Sequence, residues 1–232
     1  MVDSRHRSFG GGFWDTGMMV LTPGVRPPLQ ERSRNTLERI LESGAVVLSE
    51  HGYEGVTIAR VCEHAATSPG AVYTRFENKD ALLRAIHDHA LERLSGVVEA
   101  LYSPSPEWDA LSTPELIEMA VNVLIRHFRD EGPLVRAIVL RAAADPLMRT
   151  SGATYVKRMA DAFVQRVLSR EGDYTVAHPA GAVRDVFSMV FEAISWDVTF
   201  GADFRAAGAL GDPPDRRLPA LCRGILMPTE PG

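Results

Sequence analysis

Apolar residues recur every three or four positions along most of this 232-residue chain, which is the pattern of amphipathic α-helices. Two of the predicted helices are short and begin after Thr57 and Ser68. The others cover approximately residues 30–51, 79–101, 114–130, 133–144, 146–170, 180–204 and 215–226. No segment shows the convincing alternation of a strand. The pattern therefore predicts an all-α protein of about nine helices.

Proline and glycine divide this series into regions. Residues 1–29 contain a glycine run and three prolines but no apolar period, so they are predicted to form a disordered N-terminal arm. Met1, Met18 and Met19 remain alternative starts. A Ser-Pro-Ser-Pro segment at 103–106 marks a hinge after the fourth helix. The predicted domains are a small helical one at 30–84 and a larger one at 85–232.

The two short helices carry the most specific local pattern. Thr57 and Ser68 are both good N-caps, and Pro69 stands at the first helical position, where a missing N–H costs nothing. Val72 and Phe76 are four residues apart and are predicted to point into the domain, which leaves Tyr73, Thr74 and Arg75 off that stripe. Two short helices joined by a tight turn are typical of a helix-turn-helix. An ordinary helical hairpin would show the same spacing.

Charge does not by itself predict a nucleic-acid-binding protein. The chain carries a net charge of −5, and residues 26–84 contain eight basic and eight acidic side chains. DNA binding therefore depends on how the charges are distributed. Arg26, Arg32 and Arg34 lie together before and within the first turn of the first helix, while Arg75 and Lys79 flank the second short helix.

Other classes of site are not indicated. Two cysteines, Cys62 and Cys222, give neither a metal-binding spacing nor a disulfide framework, so no metal or cofactor is expected and a reducing cytoplasm is the simple reading. Cys62 is interpreted as a small buried hydrophobe. No apolar run approaches the ~20 residues of a membrane span. No nucleophile–base pair or phosphate loop indicates an enzyme.

The residues from Thr36 to Ile86 resemble the tetracycline-repressor (TetR) family of bacterial transcription regulators. The matching positions are Ile40-Leu41, Val47-Leu48, Gly52-Tyr53, Thr57, Val61-Cys62, Ala65 to Ser68, Gly70, Val72-Tyr73, Phe76, Lys79 and Leu82-Leu83. Two departures concern the turn and the second helix. Cys62 replaces a small alanine, and Ala66-Thr67 replaces Gly-Val, so Ala66 is expected to adopt a conformation that glycine takes more easily.

The resemblance implies a role for each residue of the helix-turn-helix. Ser68 caps the recognition helix, Tyr73 and Lys79 meet phosphates, and Arg75 is the best candidate for a guanine contact. The full predicted DNA-binding set is Thr57, Ser68, Pro69, Gly70, Ala71, Tyr73, Thr74, Arg75 and Lys79. Simpler roles stay open for several of them. Tyr73 can cover the domain core, Arg75 can pair with Glu77, and Ser68 is a cap with or without DNA.

For the C-terminal region the resemblance implies a helical domain that dimerises and encloses a ligand. Helices 180–204 and 215–226 are expected to pair with their mates in a homodimer, although the apolar stripe from Val183 to Val198 would equally suit a core helix. A pocket for an apolar or amphipathic small-molecule effector is expected to be lined by Met119, Phe128, Met159, Phe163, Phe187 and Trp196. Each of these can also be an ordinary core residue.

The leading interpretation is a homodimeric repressor that binds a palindromic operator in double-stranded DNA and is released by a small ligand. An alternative is a helical interaction protein that kept the fold and lost DNA binding, which the balanced charge of residues 26–84 favours. An enzyme in the helical domain is a further alternative without a supporting motif.

Overall fold

The computed structural model describes residues 23–26, 31–204 and 212–228. This part of the chain contains ten α-helices and no strand, which confirms the all-α prediction. The helices are α1 (Glu31–Gly55), α2 (Ile58–His64), α3 (Pro69–Tyr73), α4 (Lys79–Leu101), α5 (Pro106–Asp109), α6 (Thr113–Asp130), α7 (Gly132–Ala144), α8 (Pro146–Val167), α9 (Pro179–Phe200) and α10 (Pro214–Leu226). Short 3₁₀ turns follow α8 at Leu168–Asp173 and α9 at Ala202–Phe204.

The predicted boundaries agree with these helices to within a few residues, with one helix missed. The Ser-Pro-Ser-Pro segment interpreted as a hinge runs into α5, whose first residue is Pro106. A proline at the first position of a helix starts it rather than breaks it. Trp108 of this short helix is buried, and its indole nitrogen donates to the Leu101 carbonyl at 3.0 Å.

The chain divides into two compact units, and the boundary between them along the sequence falls within α4. The first unit ends at Glu92 and the second begins at Arg93. In the first unit, α1 turns sharply at Gly52, whose φ of 63° is the left-handed conformation that glycine adopts readily. One face of α1 is buried, formed by Leu37, Ile40, Leu41, Val47 and Leu48. At Gly44 a Cβ atom would lie 2.4 Å from Ile86 Cδ1, so α1 and α4 are in close contact there.

The second unit is a bundle in which α9 packs against α6, α7, α8 and α10, while α10 also packs against α6. Aromatic rings run through its core. Phe163 lies edge-on to Tyr102 at a centroid distance of 5.6 Å and contacts Phe187 at 5.6 Å, and Phe187 stacks on Phe191 at 5.8 Å. Pro219 lies inside α10 without ending it. Large apolar side chains therefore hold this unit together.

The predicted arm overlaps the described residues only at 23–26, and the rest of it lies outside them. These four residues form a turn and an isolated antiparallel bridge between Val25 and Phe76. The backbone groups of this short piece find partners next to α3, and the disordered arm stays a prediction.

Candidate nucleic-acid interface

The helix-turn-helix is capped where the sequence predicts. Thr57 Oγ1 accepts from the Arg60 N–H at 3.2 Å, and Ser68 Oγ accepts from the Ala71 N–H at 3.2 Å. Pro69 occupies the first position of α3. The two hydroxyls satisfy backbone donors that a helix N-terminus otherwise leaves open, so they set where α2 and α3 begin.

The turn between the two helices depends on Ala66. Its φ of 46° is the only positive value at a non-glycine residue in the described part of the chain. An L-residue with a Cβ atom pays roughly 1–2 kcal/mol for this conformation. The Thr67 N–H bonds back to the Cys62 carbonyl at 3.0 Å, which holds the turn closed. The strain anticipated at Ala66 is therefore present.

The inner face of the motif packs as predicted. Val61, Ala65, Val72 and Phe76 are at most 3% exposed. Cys62 is also buried, and burial raises the pKa of its thiol, in agreement with its interpretation as a small hydrophobe. These side chains fix the orientation of α3, so that its opposite face is turned outward.

That outward face carries most of the predicted DNA-binding residues. Tyr73 is 52% exposed, so it does not cover the core as its simpler role would require. Ala71 and Arg75 are half-buried, and the remaining predicted residues are exposed, namely Thr57, Ser68, Pro69, Gly70, Thr74 and Lys79. The structure therefore leaves polar and small side chains of α2, α3 and the start of α4 accessible to solvent.

The start of α4 depends on a residue that the sequence interpretation missed. Asn78 Oδ1 accepts from the Ala81 N–H at 2.8 Å, which caps the helix one residue before Lys79. An asparagine directly before a periodic apolar segment is a recognised N-cap signal. The cap places the exposed Lys79 at the positive end of a 23-residue helix, where both favour an anion.

Arg75 differs from its neighbours because its guanidinium is engaged within the protein. Nη1 donates to the Ala71 carbonyl at 2.7 Å and to Thr74 Oγ1 at 3.3 Å, and Nη2 donates to Ser33 Oγ of α1 at 3.1 Å. Burial lowers the pKa of this guanidinium. Its contacts are with these groups rather than with Glu77. The guanine contact predicted for Arg75 stays a prediction.

Residues 23–26 lie beside the C-terminal end of α3. The Arg26 N–H donates to the Arg75 carbonyl at 2.9 Å, and the Glu77 N–H donates to the Gly24 carbonyl at 3.0 Å. Arg26 is exposed, with Nη1 3.5 Å from the Thr74 carbonyl. No periodicity in the sequence indicates this pairing, and the glycine at position 24 is the one signal that a turn was required.

The six residues predicted to line a ligand pocket separate into two groups. Phe128, Met159, Phe163 and Phe187 are at most 4% exposed and belong to the core. Met119 and Trp196 are 38% and 53% exposed. That these six residues bind a ligand stays a prediction.

A cavity of about 680 Å³ lies along α9 and the start of α10, and Trp196 is part of its wall. Its other large apolar side chains are Met189 and Phe204, and four carboxylates also line it, namely Asp185, Glu192, Asp197 and Asp212. Next to it, Trp196 and Phe200 have ring centroids 4.4 Å apart, and Phe200 and Phe204 5.0 Å. An exposed aromatic cluster of this size indicates an interaction surface.

None of the helices in the described residues is long and apolar enough to cross a membrane. Within 23–26, 31–204 and 212–228, no three His, Cys, Asp or Glu side chains are grouped so that they could hold a metal ion.

Residues 40–86 match the family of bacterial regulatory proteins named tetR. Among characterised proteins, the chain is 24% identical over 185 residues to the HTH-type transcriptional regulator UidR of Escherichia coli K12, covering 77% of this chain and 86% of UidR. It is 34% identical over 68 residues to the HTH-type transcriptional repressor AcnR of Corynebacterium glutamicum, covering 29% of this chain and 36% of AcnR.

Solved structures show the same fold. A TetR-family transcriptional regulator from Mesorhizobium loti superimposes with a TM-score of 0.67 at 18% identity, covering 85% of this chain and 98% of the other. Salmonella enterica GusR gives a TM-score of 0.57 at 19% identity, with the same coverage of 85% and 98%. UidR and AcnR are transcriptional regulators by name, in line with the interpretation of the sequence.

Proposed function

We propose that this chain, which belongs to the TetR family of transcriptional regulators, is a homodimeric repressor of a palindromic operator that a small ligand releases. DNA binding and transcriptional regulation follow from the family. The sign of regulation, the dimer, the effector and a cytoplasmic location are the proposal. AcnR is a repressor by name, and its similarity to this chain favours that sign.

The observation that carries the proposal is the outward face of α3. Tyr73 and Thr74 are exposed there, and Lys79 lies exposed at the capped start of α4. A hydroxyl and an ammonium on the two sides of a short exposed helix suit the two phosphate strands that border a major groove. Ser68, Pro69 and Gly70, at the leading end of α3, would then lie near base edges.

A dimer is proposed because one short recognition helix covers only half of an operator. Two of them must reach successive major grooves, about 34–36 Å apart. The exposed surfaces of α9 and α10 support pairing of these helices, since Trp196, Phe200 and Phe204 form an aromatic cluster on one side. Leu221 and Ile225 of α10 are 48% and 37% exposed. Burying these side chains between two copies would remove them from water.

The proposed effector acts by preferring one arrangement of the dimer. A ligand that binds better to a form with wrongly spaced recognition helices lowers the affinity for DNA. DNA lowers the affinity for the ligand by the same factor, and the coupling free energy is typically about 1–3 kcal/mol. Helix α4 is the element through which we propose that the coupling passes, since it carries Lys79 at its first residue and continues into the second unit. Aromatic and methionine side chains of that unit favour an apolar or amphipathic ligand.

The test is binding of the purified protein to DNA from upstream of its own gene at several salt concentrations. Lys79→Ala is expected to weaken binding to all sequences and to lower the salt slope by about one, because one phosphate contact is lost. Lys157→Ala is the matched control, since Lys157 is exposed on α8 in the other unit. It should leave both affinity and slope unchanged.

Failure of the wild type to bind this DNA would call for selection from random sequences, because the operator can lie elsewhere. Failure in both assays would favour the alternative, an interaction protein that has lost DNA binding. The equal numbers of acidic and basic residues between 26 and 84 are the observation that supports this alternative.

A further inference from the structure

We propose that residues 23–26 and Arg75 form a clamp that fixes the C-terminal end of the recognition helix α3. In this clamp Arg75 positions α3 instead of reading a base, and Arg26 supplies the cation that meets a DNA phosphate at this end of the helix. The inference rests on the proposed DNA-binding function and names further residues for it.

The need for a clamp comes from the length of α3, which is only five residues. A helix of about one turn cannot hold itself, because ordering its backbone costs more free energy than its few internal hydrogen bonds return. Backbone N–H groups of residues 74–76 reach the Gly70 and Val72 carbonyls, and the Ala71 carbonyl is left to side-chain donors. Caps at Ser68 hold the leading end, so the trailing end needs partners from elsewhere.

Those partners come from Arg26 and Arg75. Arg26 donates its N–H to the Arg75 carbonyl at 2.9 Å, and its Nη1 lies 3.5 Å from the Thr74 carbonyl. The Ala71 carbonyl accepts from Arg75 Nη1 at 2.7 Å and from the Thr74 hydroxyl at 2.9 Å. Three carbonyls at the end of the recognition segment, those of Ala71, Thr74 and Arg75, are thereby satisfied.

The clamp is tied to the rest of the first unit on both sides. Arg75 Nη2 donates to Ser33 Oγ of α1 at 3.1 Å. On the other side, Arg84 Nη2 of α4 donates to the Pro23 carbonyl at 3.4 Å, and the Glu77 N–H donates to the Gly24 carbonyl at 3.0 Å. The end of α3 is therefore held relative to both α1 and α4, the two long helices of the unit.

Gly24 is the residue on which this arrangement depends. Its φ is 82°, in the left-handed region that glycine adopts readily, and a Cβ atom there would lie 2.9 Å from the Cβ of Ala81. Any other residue at position 24 must move away from α4. The pairing with Glu77, and with it the position of Arg26, would then be lost.

The same geometry gives the two arginines different roles. The Arg75 guanidinium is half-buried and donates to three oxygen atoms of the protein, so reading a guanine would require breaking those bonds. Arg26 is exposed beside Thr74, which is itself exposed on the outward face. A guanidinium placed there suits a phosphate of double-stranded DNA.

The first experiment needs no DNA. Hydrogen–deuterium exchange of peptides that cover residues 69–77 is compared in the full-length wild type, Gly24→Ala and Arg75→Ala. Both variants are expected to exchange faster in this segment, because the clamp no longer holds it. Gly152→Ala is the matched control, since no atom lies within 4 Å of the added Cβ. Unchanged exchange in Gly24→Ala would overturn the clamp.

The second experiment measures affinity for the upstream DNA fragment that the wild type binds. Gly24→Ala is expected to weaken binding by at least about fivefold, since the free chain must again order α3. Arg75→Ala should weaken binding to specific and mutated sites by the same factor and leave the salt slope unchanged. Arg26→Ala should lower the salt slope by about one.

Each alternative outcome has one meaning. If Arg75→Ala relaxes the preference at a single base pair, Arg75 reads that base and the positioning role is wrong. If Arg26→Ala leaves the salt slope unchanged, Arg26 makes no phosphate contact. If the wild type binds no DNA while exchange responds as expected, the clamp stands and the proposed function fails. Should Gly24→Ala not fold, Ser33→Ala removes one clamp bond and is expected to accelerate the same exchange to a smaller extent.

Discussion

The two units of this protein are stabilised in different ways. The first contains two short helices, α2 and α3, whose ends are set by individual groups such as the Ser68 hydroxyl and the left-handed Ala66. The second consists mainly of long helices joined by large buried side chains, with Phe163, Phe187 and Tyr102 in ring-to-ring contact. Individual hydrogen bonds and backbone angles set the ends of the short helices in the first unit. The packing of large buried side chains sets the arrangement of the helices in the second.

This difference explains why the similarity to known proteins is uneven. The family match covers residues 40–86, whereas the fold of solved structures extends over 85% of the chain at 18% identity. A surface that must fit DNA tolerates few residue types at a cap or a turn. An apolar core can be filled by many combinations of the same total volume. The first unit therefore carries the residue pattern that the family model matches, whereas the second is matched at low identity.

The largest effect is expected when core volume is removed from the second unit. Phe163→Ala is expected to lower the free energy of unfolding by about 3–5 kcal/mol, because the side chain is fully buried among aromatic rings. Chemical denaturation followed by circular dichroism measures the change, with Phe163→Leu as a milder control. A loss below about 1 kcal/mol would show that the space around Phe163 adapts, as expected for the lining of a ligand pocket.

In the first unit the matching change adds a single carbon atom. Gly44→Ala places a Cβ 2.4 Å from Ile86 Cδ1 and is expected to cost about 1–3 kcal/mol, since α1 and α4 must move apart. The same substitution at Gly152 of α8 meets no atom within 4 Å and should be neutral or stabilise by up to about 1 kcal/mol. Equal effects at the two glycines, measured by thermal unfolding, would contradict the close contact.

A smaller effect is expected from the cap of α3. Ser68→Ala removes the oxygen that accepts the Ala71 N–H and should cost about 1 kcal/mol of stability. Affinity for DNA should fall as well, because Ser68 begins the recognition helix. Ser68→Thr keeps a capping hydroxyl and should retain most of both. Titration calorimetry with the DNA fragment measures the affinity. An unchanged affinity in Ser68→Ala would show that this cap does not contribute to DNA binding.

The smallest effect concerns pH and belongs to the second unit. Burial lowers the pKa of His127. The charge on Glu131 raises this pKa in part, and the charge on Arg93 lowers it further. The unfolded chain then binds the proton at higher pH than the folded protein. The stability contributed by neutral His127 is complete above the unfolded pKa of about 6.5 and is lost as the pH falls toward the lower folded value.

Substituting this histidine tests the sign of the effect. Urea unfolding of the wild type and of His127→Gln is measured between about pH 5 and 8. The wild type should lose more stability on acidification than the variant, which has no titrating group at this position. Parallel curves would show that burial of His127 has no thermodynamic consequence.

Much of the first unit was predictable because its signals are local. The caps at Thr57 and Ser68 and the buried Val72 and Phe76 each follow from residues close in sequence. The pairing of residues 23–26 with 75–77 was not predictable, since it joins segments about 50 residues apart through backbone groups that carry no residue type. In the second unit, periodicity predicted the helices but could not tell the buried Phe163 from the exposed Trp196.

The sequence by itself determined the helices, their caps and the resemblance to a DNA-binding family, because these depend on hydrogen bonds and spacings within a few residues. Only the tertiary structure decided that the Arg75 guanidinium bonds to Ser33 and its neighbours, that Arg26 lies beside Thr74, and that the aromatic residues of α9 divide between core and surface. The direction of a long side chain and the partner of a backbone group depend on which distant segments of the chain pack against them. The local sequence pattern does not specify those segments.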